Sequence, residues 1–150
     1  MNNLMALVLT LGIPASPDPG IVALLASDAL RPLAHSETVK AARVDNFLPL
    51  GPKAPPGAES LGLPGIFRVR PDTVLLSAKD AAMVRSILQA PSAYESYVTA
   101  CMFEPGVAFT FPSRRDLLVL VCLKCEEVAF VKDTKTLKKL SLILLCHKMT

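Results

Sequence analysis

The side chains with most chemistry to offer are four cysteines and two histidines, and their spacing concentrates three of the cysteines. Cys101, Cys122, Cys125 and Cys146 give C-x20-C-x2-C-x20-C-H, with His147 closing the pattern. A CxxC at a turn presents two thiolates about 4 Å apart, the bite that tetrahedral zinc requires. Cys101, Cys122 and Cys125 are therefore the candidate metal ligands, zinc the candidate cofactor, and Cys146 or His147 a less favoured fourth ligand. A full zinc signature would carry two close pairs, whereas Cys101 and Cys146 stand alone. No glycine follows Cys125 to free backbone amides for the sulfurs. Leu144 and Leu145 favour Cys146 as a buried small hydrophobe. In an oxidising compartment the same three thiols are expected to form a disulfide from Cys101 to Cys122 or Cys125, leaving an odd thiol near the turn.

Thiol catalysis fits the pattern less well. A redox CxxC lies at a helix N-terminus, where the dipole lowers the first thiol's pKa, and this one lies between strand-like runs. Glu126 and Glu127 follow directly and oppose thiolate formation, with Lys124 a partial offset. Glu126 and Glu127 are also expected on opposite faces of a strand, which separates them as an acid/base couple. His35 and His147 fall in no nucleophile-elbow, HExxH or phosphate-loop pattern, and the glycines are scattered among prolines. No catalytic residue is assigned.

The elements that must position the cysteines are strands. Val107 to Phe111, Leu117 to Leu123 and Glu127 to Val131 are rich in Val, Leu and Phe, and Pro112-Ser113-Arg114-Arg115-Asp116 separates the first two. This predicts an antiparallel meander with Cys122 and Cys125 astride its second turn and Cys101 at the same end. Upstream, Ile21, Leu24, Leu25 and Ala29 have helical spacing with Pro32 as a stop, so a helix is expected near 20–30. Glu37 to Val44 alternates weakly, with Val39, Ala41 and Arg43 on one side. Residues 46–65 hold five prolines and four glycines and read as a mobile surface loop. Ile66 to Arg70 and Thr73 to Leu76 read as short strands turned at Pro71-Asp72. Ser77 is an N-cap for a helix over 78–90 with Asp80 at N3 and Ala81, Val84, Ile87 and Leu88 inward. A last helix is expected over 136–147, with Leu137, Leu140, Leu144 and Ile143 toward the sheet and lysines toward water.

These elements predict an α+β domain: an antiparallel sheet of about five or six strands with two or three helices packed mainly on one face. Its 150 residues suffice for one core that needs neither metal nor disulfide to persist. The domain is expected to span 16–150, after a possible signal peptide over 1–15. That segment carries a ten-residue apolar run, LMALVLTLGI, before Pro14, with no Lys or Arg ahead of it. The run is too short to span a bilayer, and neither it nor any other segment is expected to be transmembrane. Secretion or periplasmic location follows if the run is a signal, and cytoplasmic location if it is a buried first element.

The formal charge is +3, with the excess in the second half, notably Lys132, Lys135, Lys138, Lys139 and Lys148. With no Trp and only two Tyr, a nucleic-acid partner is not expected. A peripheral membrane or protein partner remains open. The function expected from this pattern is a non-enzymatic extracytoplasmic domain with a structural or metal-binding cysteine cluster. The alternative is an intracellular zinc-binding or thiol redox module using CxxC.

Overall fold

The computed structural model describes residues 16–47, 56–59, 61, 63, 65–95, 101–112, 117–133 and 135–142. The expectations placed on residues 1–15, on Ile143 and Leu144, and on Cys146 and His147 lie outside the described residues.

The meander is present as expected. β5 (Val107–Phe111), β6 (Leu117–Cys122) and β7 (Glu127–Lys132) pair antiparallel in sequence order. β1 (Lys40–Phe47) joins the free edge of β5. β2 (Ile66–Val69) and β3 (Val74–Leu75) both pair with the other edge of β1, so Pro71-Asp72 does not turn a hairpin between them. They form one edge strand interrupted at Arg70–Thr73, where Pro71 has no N–H to give the ladder. Arg70 N–H donates to the Arg43 carbonyl before the interruption, and Leu76 N–H to the Val39 carbonyl after it.

The last segment corrects the helical expectation. Lys135–Leu142 is β8, which pairs antiparallel with β7 and in turn with β4 (Tyr94–Glu95). Leu and Lys are good helix formers, but β7 is buried along nearly its whole length and its second edge must be hydrogen-bonded. Strand pairing therefore overrides local propensity. A register shift between Phe130 and Val131 leaves Leu137 as the extra residue of β8. Leu140 is buried, but Leu137 is 39% exposed, contrary to the expected inward stripe. Among the described residues the sheet runs β2-β1-β5-β6-β7-β8-β4 with β3 beside β1, the antiparallel sheet of the expected α+β domain.

Helices cover one face. α1 (Pro19–Leu25), the 3-10 turn Asp28–Leu30 and α2 (Arg31–His35) bury Ile21, Leu30 and Leu33, and Val39, on the approach to β1, joins them. Pro32 lies in the first turn of α2, where it starts a helix rather than ending one. α3 (Ala78–Gln89) begins as expected: the Ser77 hydroxyl accepts from Asp80 N–H and donates to the Asp80 carboxylate. Ala81 and Leu88 are buried and Val84 packs beside them, while Ile87 faces solvent. Arg85 donates to the Ser36 carbonyl, and the buried Tyr94 hydroxyl to that of Leu88. Under the helices lie Phe111, Leu117, Val119, Val121, Val128 and Phe130.

The opposite face is also covered, by chain without regular structure. Phe67 on β2, Leu63 and Phe103 form a second core with Val44, Ala108, Leu120, Cys122, Ala129 and Val131. The stretch read as a mobile loop therefore contributes in part to the interior. Glu59 exchanges both backbone hydrogen bonds with Phe67 at 2.8 Å, adding one residue to the β2 edge. Gly65 adopts φ +134°, and a Cβ there would lie 2.8 Å from the Phe67 ring. Glycine is what allows this ring to fold back over the sheet.

Candidate functional site

The floor of the second face is built from small residues. Register places Ala42, Ala108, Leu120, Ala129 and Lys139 in one row across β1, β5, β6, β7 and β8. The three alanines leave a shallow trough, and Phe67 and Phe103 meet edge-to-face above it with centroids 6.3 Å apart. The next row brings Cys122 opposite Glu127.

Cys122 ends β6, and residues 123–126 turn the chain into β7. Glu126 makes that turn in the left-handed region, φ +54°, and is exposed. Glu127 is the first residue of β7 and is 1% exposed. The two glutamates are divided between solvent and interior, with Glu126 in the turn rather than on the strand where both were expected. Cys125, within the turn, is bonded to Cys101, their Cα atoms 5.7 Å apart. Cys122 is a buried free thiol in the same cluster. All three predicted thiols thus lie at one end of the sheet. Of the two expected disulfide partners, the structure selects Cys125, in the turn, and leaves Cys122, the last residue of β6, as a buried thiol of the second core.

Two further groups complete the site, neither singled out by sequence reasoning. Lys139 reaches from β8 to Glu127, Nζ to Oε2 3.2 Å, and its Nζ lies 5.7 Å from the Phe103 ring centroid. Among the second-half lysines read as a solvated face, it is drawn inward, its side chain 24% exposed, and Lys132 is half-buried where it donates to the Ala29 carbonyl. Two residues after Cys101, Phe103 is fully buried. The short stretch from Cys101 to Gly106 is thus a strap, fixed at one end by the disulfide. It is fixed at the other by hydrogen bonds from Gly106 N–H to Val121 and from Val44 N–H to Gly106. Asn46 Nδ2 donates to the Pro105 carbonyl at 2.9 Å between these anchors. The period-2 signal of β7 makes the inward direction of Glu127 legible; the partner of Lys139 follows only once β8 is known to be a strand.

The other charged group of note lies on the β1–β2 ribbon. Asp45 accepts from Arg68 at 2.7 Å and Arg70 at 2.9 Å. These hydrogen bonds hold its carboxyl below the ordinary carboxylate range, Arg70 contributing most, and raise the Arg70 guanidinium in return. Burial pushes the Tyr94 phenol well above its usual value.

Among the described residues no group of three or more His, Cys, Asp or Glu is placed to hold a metal ion. Among them also, no helix is long and apolar enough to cross a membrane. Comparison of the chain with protein-family models, curated proteins and solved structures finds no match.

Proposed function

We propose that this is a non-enzymatic extracytoplasmic domain in which the cysteine cluster is structural: the Cys101–Cys125 bond staples the strap to the β6–β7 turn and holds Phe103 over the alanine trough. The observation that carries this reading is the pairing of an irregular cover with a covalent tie at its unsupported end. Irregular chain lacks the repeated hydrogen bonds that fix a helix on a sheet, and a cross-link offsets that by restricting the unfolded chain. A disulfide of this kind persists in an oxidising compartment, which agrees with export directed by the apolar run at 4–13.

The rival is an intracellular zinc-binding or redox module. It is supported by the position of Cys122, a third thiol in the cluster of Cys101 and Cys125, which on reduction would give three sulfurs at one end of the sheet. Intact-mass measurement of protein isolated from its host without reductant, with and without a thiol-blocking reagent, separates the two when joined to metal analysis. The structural reading predicts a bond between Cys101 and Cys125, no stoichiometric zinc and a chain that starts near Ser16. Zinc bound one to one, with blocked Cys101 and Cys125, would replace it with the metal reading, and a chain starting at Met1 or Asn2 would remove the cleaved signal.

A further inference from the structure

We propose that the β1–β2 ribbon carries a binding site for an oxyanion of the phosphate or sulfate class, formed by Arg43 and Arg70 and oriented by Asp45. Alternation puts Arg43, Asp45 and Phe47 of β1 on one face, and register sets Arg68 opposite Asp45 and Ile66 opposite Phe47. The hydrogen bond from Arg70 N–H to the Arg43 carbonyl, 2.9 Å, extends the ladder by one pair and places these two arginines directly across from each other.

Like charges opposite each other on neighbouring strands repel, so this arrangement asks for an anion. Asp45 bridges two of the three guanidiniums and Asp72 acts on Arg70 from beyond the ladder, so two carboxylates face three arginines and one positive charge is left over. Asp45 also fixes geometry. One carboxylate oxygen takes Nε and Nη2 of Arg68, at 3.3 and 2.7 Å, and the other takes Nε and Nη2 of Arg70, at 2.9 Å each. Both planes are thereby held by one edge. Arg68 is steadied further by the Phe47 ring, its Cζ 5.8 Å from the centroid. The Nη1 groups of Arg68 and Arg70 are not engaged by the carboxylate. Their side chains remain 38% and 43% exposed. Arg43 is exposed and takes part in none of the ion pairs among the described residues. The Asp45 bridges account for Arg68 and Arg70 but not for a third arginine set against Arg70. An oxyanion between Arg43 and Arg70 offsets that repulsion and meets, at Arg70, a guanidinium plane already held by Asp45, with Arg43 free to close on it from the neighbouring strand.

The test follows the arginine Nε–Hε resonances of the full chain at low ionic strength during titration with sodium phosphate, sodium sulfate and, at matched ionic strength, sodium chloride. Saturable shifts at Arg43 and Arg70 in about the millimolar range are expected for phosphate or sulfate. Arg43→Gln should weaken binding about tenfold and Arg43→Lys, which keeps the charge and loses the fork, several-fold, while Arg31→Gln at the exposed Asp28 pair should change nothing. Because Arg43 carries no ion pair, both variants are expected to melt with the parent chain, and Arg43→Lys keeps the test valid should the Gln variant fail to fold. A phosphorylated sugar or a sulfated disaccharide binding with the same dependence on Arg43 would tell which oxyanion the site takes. Equal shifts with chloride, shifts that do not saturate, or undiminished binding in the Arg43 variants would overturn the proposal.

Discussion

The two faces of the sheet solve the same burial problem with different materials. Under the helices the floor is Val, Leu and Phe, with Phe111, Val119, Val121 and Phe130 packing into α1, α2 and α3. On the other face the floor is Ala42, Ala108 and Ala129 around Leu120, and the bulk comes from above, from Phe67 and Phe103 on β2 and the strap. A helix brings its own hydrogen bonds, so packing alone holds it in place. A strap must be tied, and here it is tied by a disulfide, a few backbone bonds and the Lys139 ammonium set against the Phe103 ring. The three described cysteines and the Glu127–Lys139 pair gather on the face that needs the ties.

Truncating the large ring on each side sets the scale. Phe130→Ala and Phe103→Ala should each cost about 3–5 kcal/mol in equilibrium denaturant unfolding, as is usual for buried phenylalanine. If the strap is a true second core, the two losses will be similar. A loss below about 0.5 kcal/mol for Phe103→Ala, the range of surface changes, would reduce the strap to decoration.

The buried ion pair should respond unevenly to removal of its two ends. Lys139→Met removes the ammonium 3.2 Å from the buried Glu127 carboxylate and should cost up to about 3 kcal/mol. Glu127→Gln should cost less, because the half-buried lysine can turn its charge toward water. Chemical denaturation of both variants at neutral pH checks the order, and the reverse order would mean that Lys139 is not the charge on which Glu127 depends.

Cys101→Ser should then cost about 3 kcal/mol in the oxidised protein, from a link between residues 24 apart in sequence, and little in the reduced protein. Equal losses in both states would assign Cys101 a packing role and leave the staple without effect.

The smallest effect belongs to the exposed ribbon. The Asp45 carboxyl is depressed in the folded state, so its contribution is present above the unfolded carboxylate pKa and is lost as pH falls through the lower folded value. The melting temperature of the parent chain should therefore fall more than that of Asp45→Asn between pH 7 and about pH 2. Parallel curves would show that Asp45 adds nothing to folding.

The meander and the third helix were legible because their signals are local: alternating Val, Leu and Phe between turn residues, and Ser77 with Asp80 at a helix start. The clustering of Cys101, Cys122 and Cys125 followed from strand order. The partner of Cys101 did not, since Cys122 is told from Cys125 only when the end of β6 is known. β8 was hidden because its lysines and leucines favour a helix and its strand form is imposed by the open edge of β7. The second core was hidden for a related reason. Alanines at 42, 108 and 129 carry little apolar weight in a pattern, and the residues that fill the space above them come from chain whose prolines and glycines read as loop.

The central claim is that a disulfide from Cys101 to Cys125 ties the strap to the sheet while Cys122 stays a buried thiol. Alkylation of the native oxidised protein, followed by proteolysis and mass spectrometry of the peptides, tests it directly. The account predicts a Cys101–Cys125 cross-linked peptide and a Cys122 that is alkylated only after unfolding. A Cys122–Cys125 bond, or a Cys101 alkylated in the native protein, would contradict it.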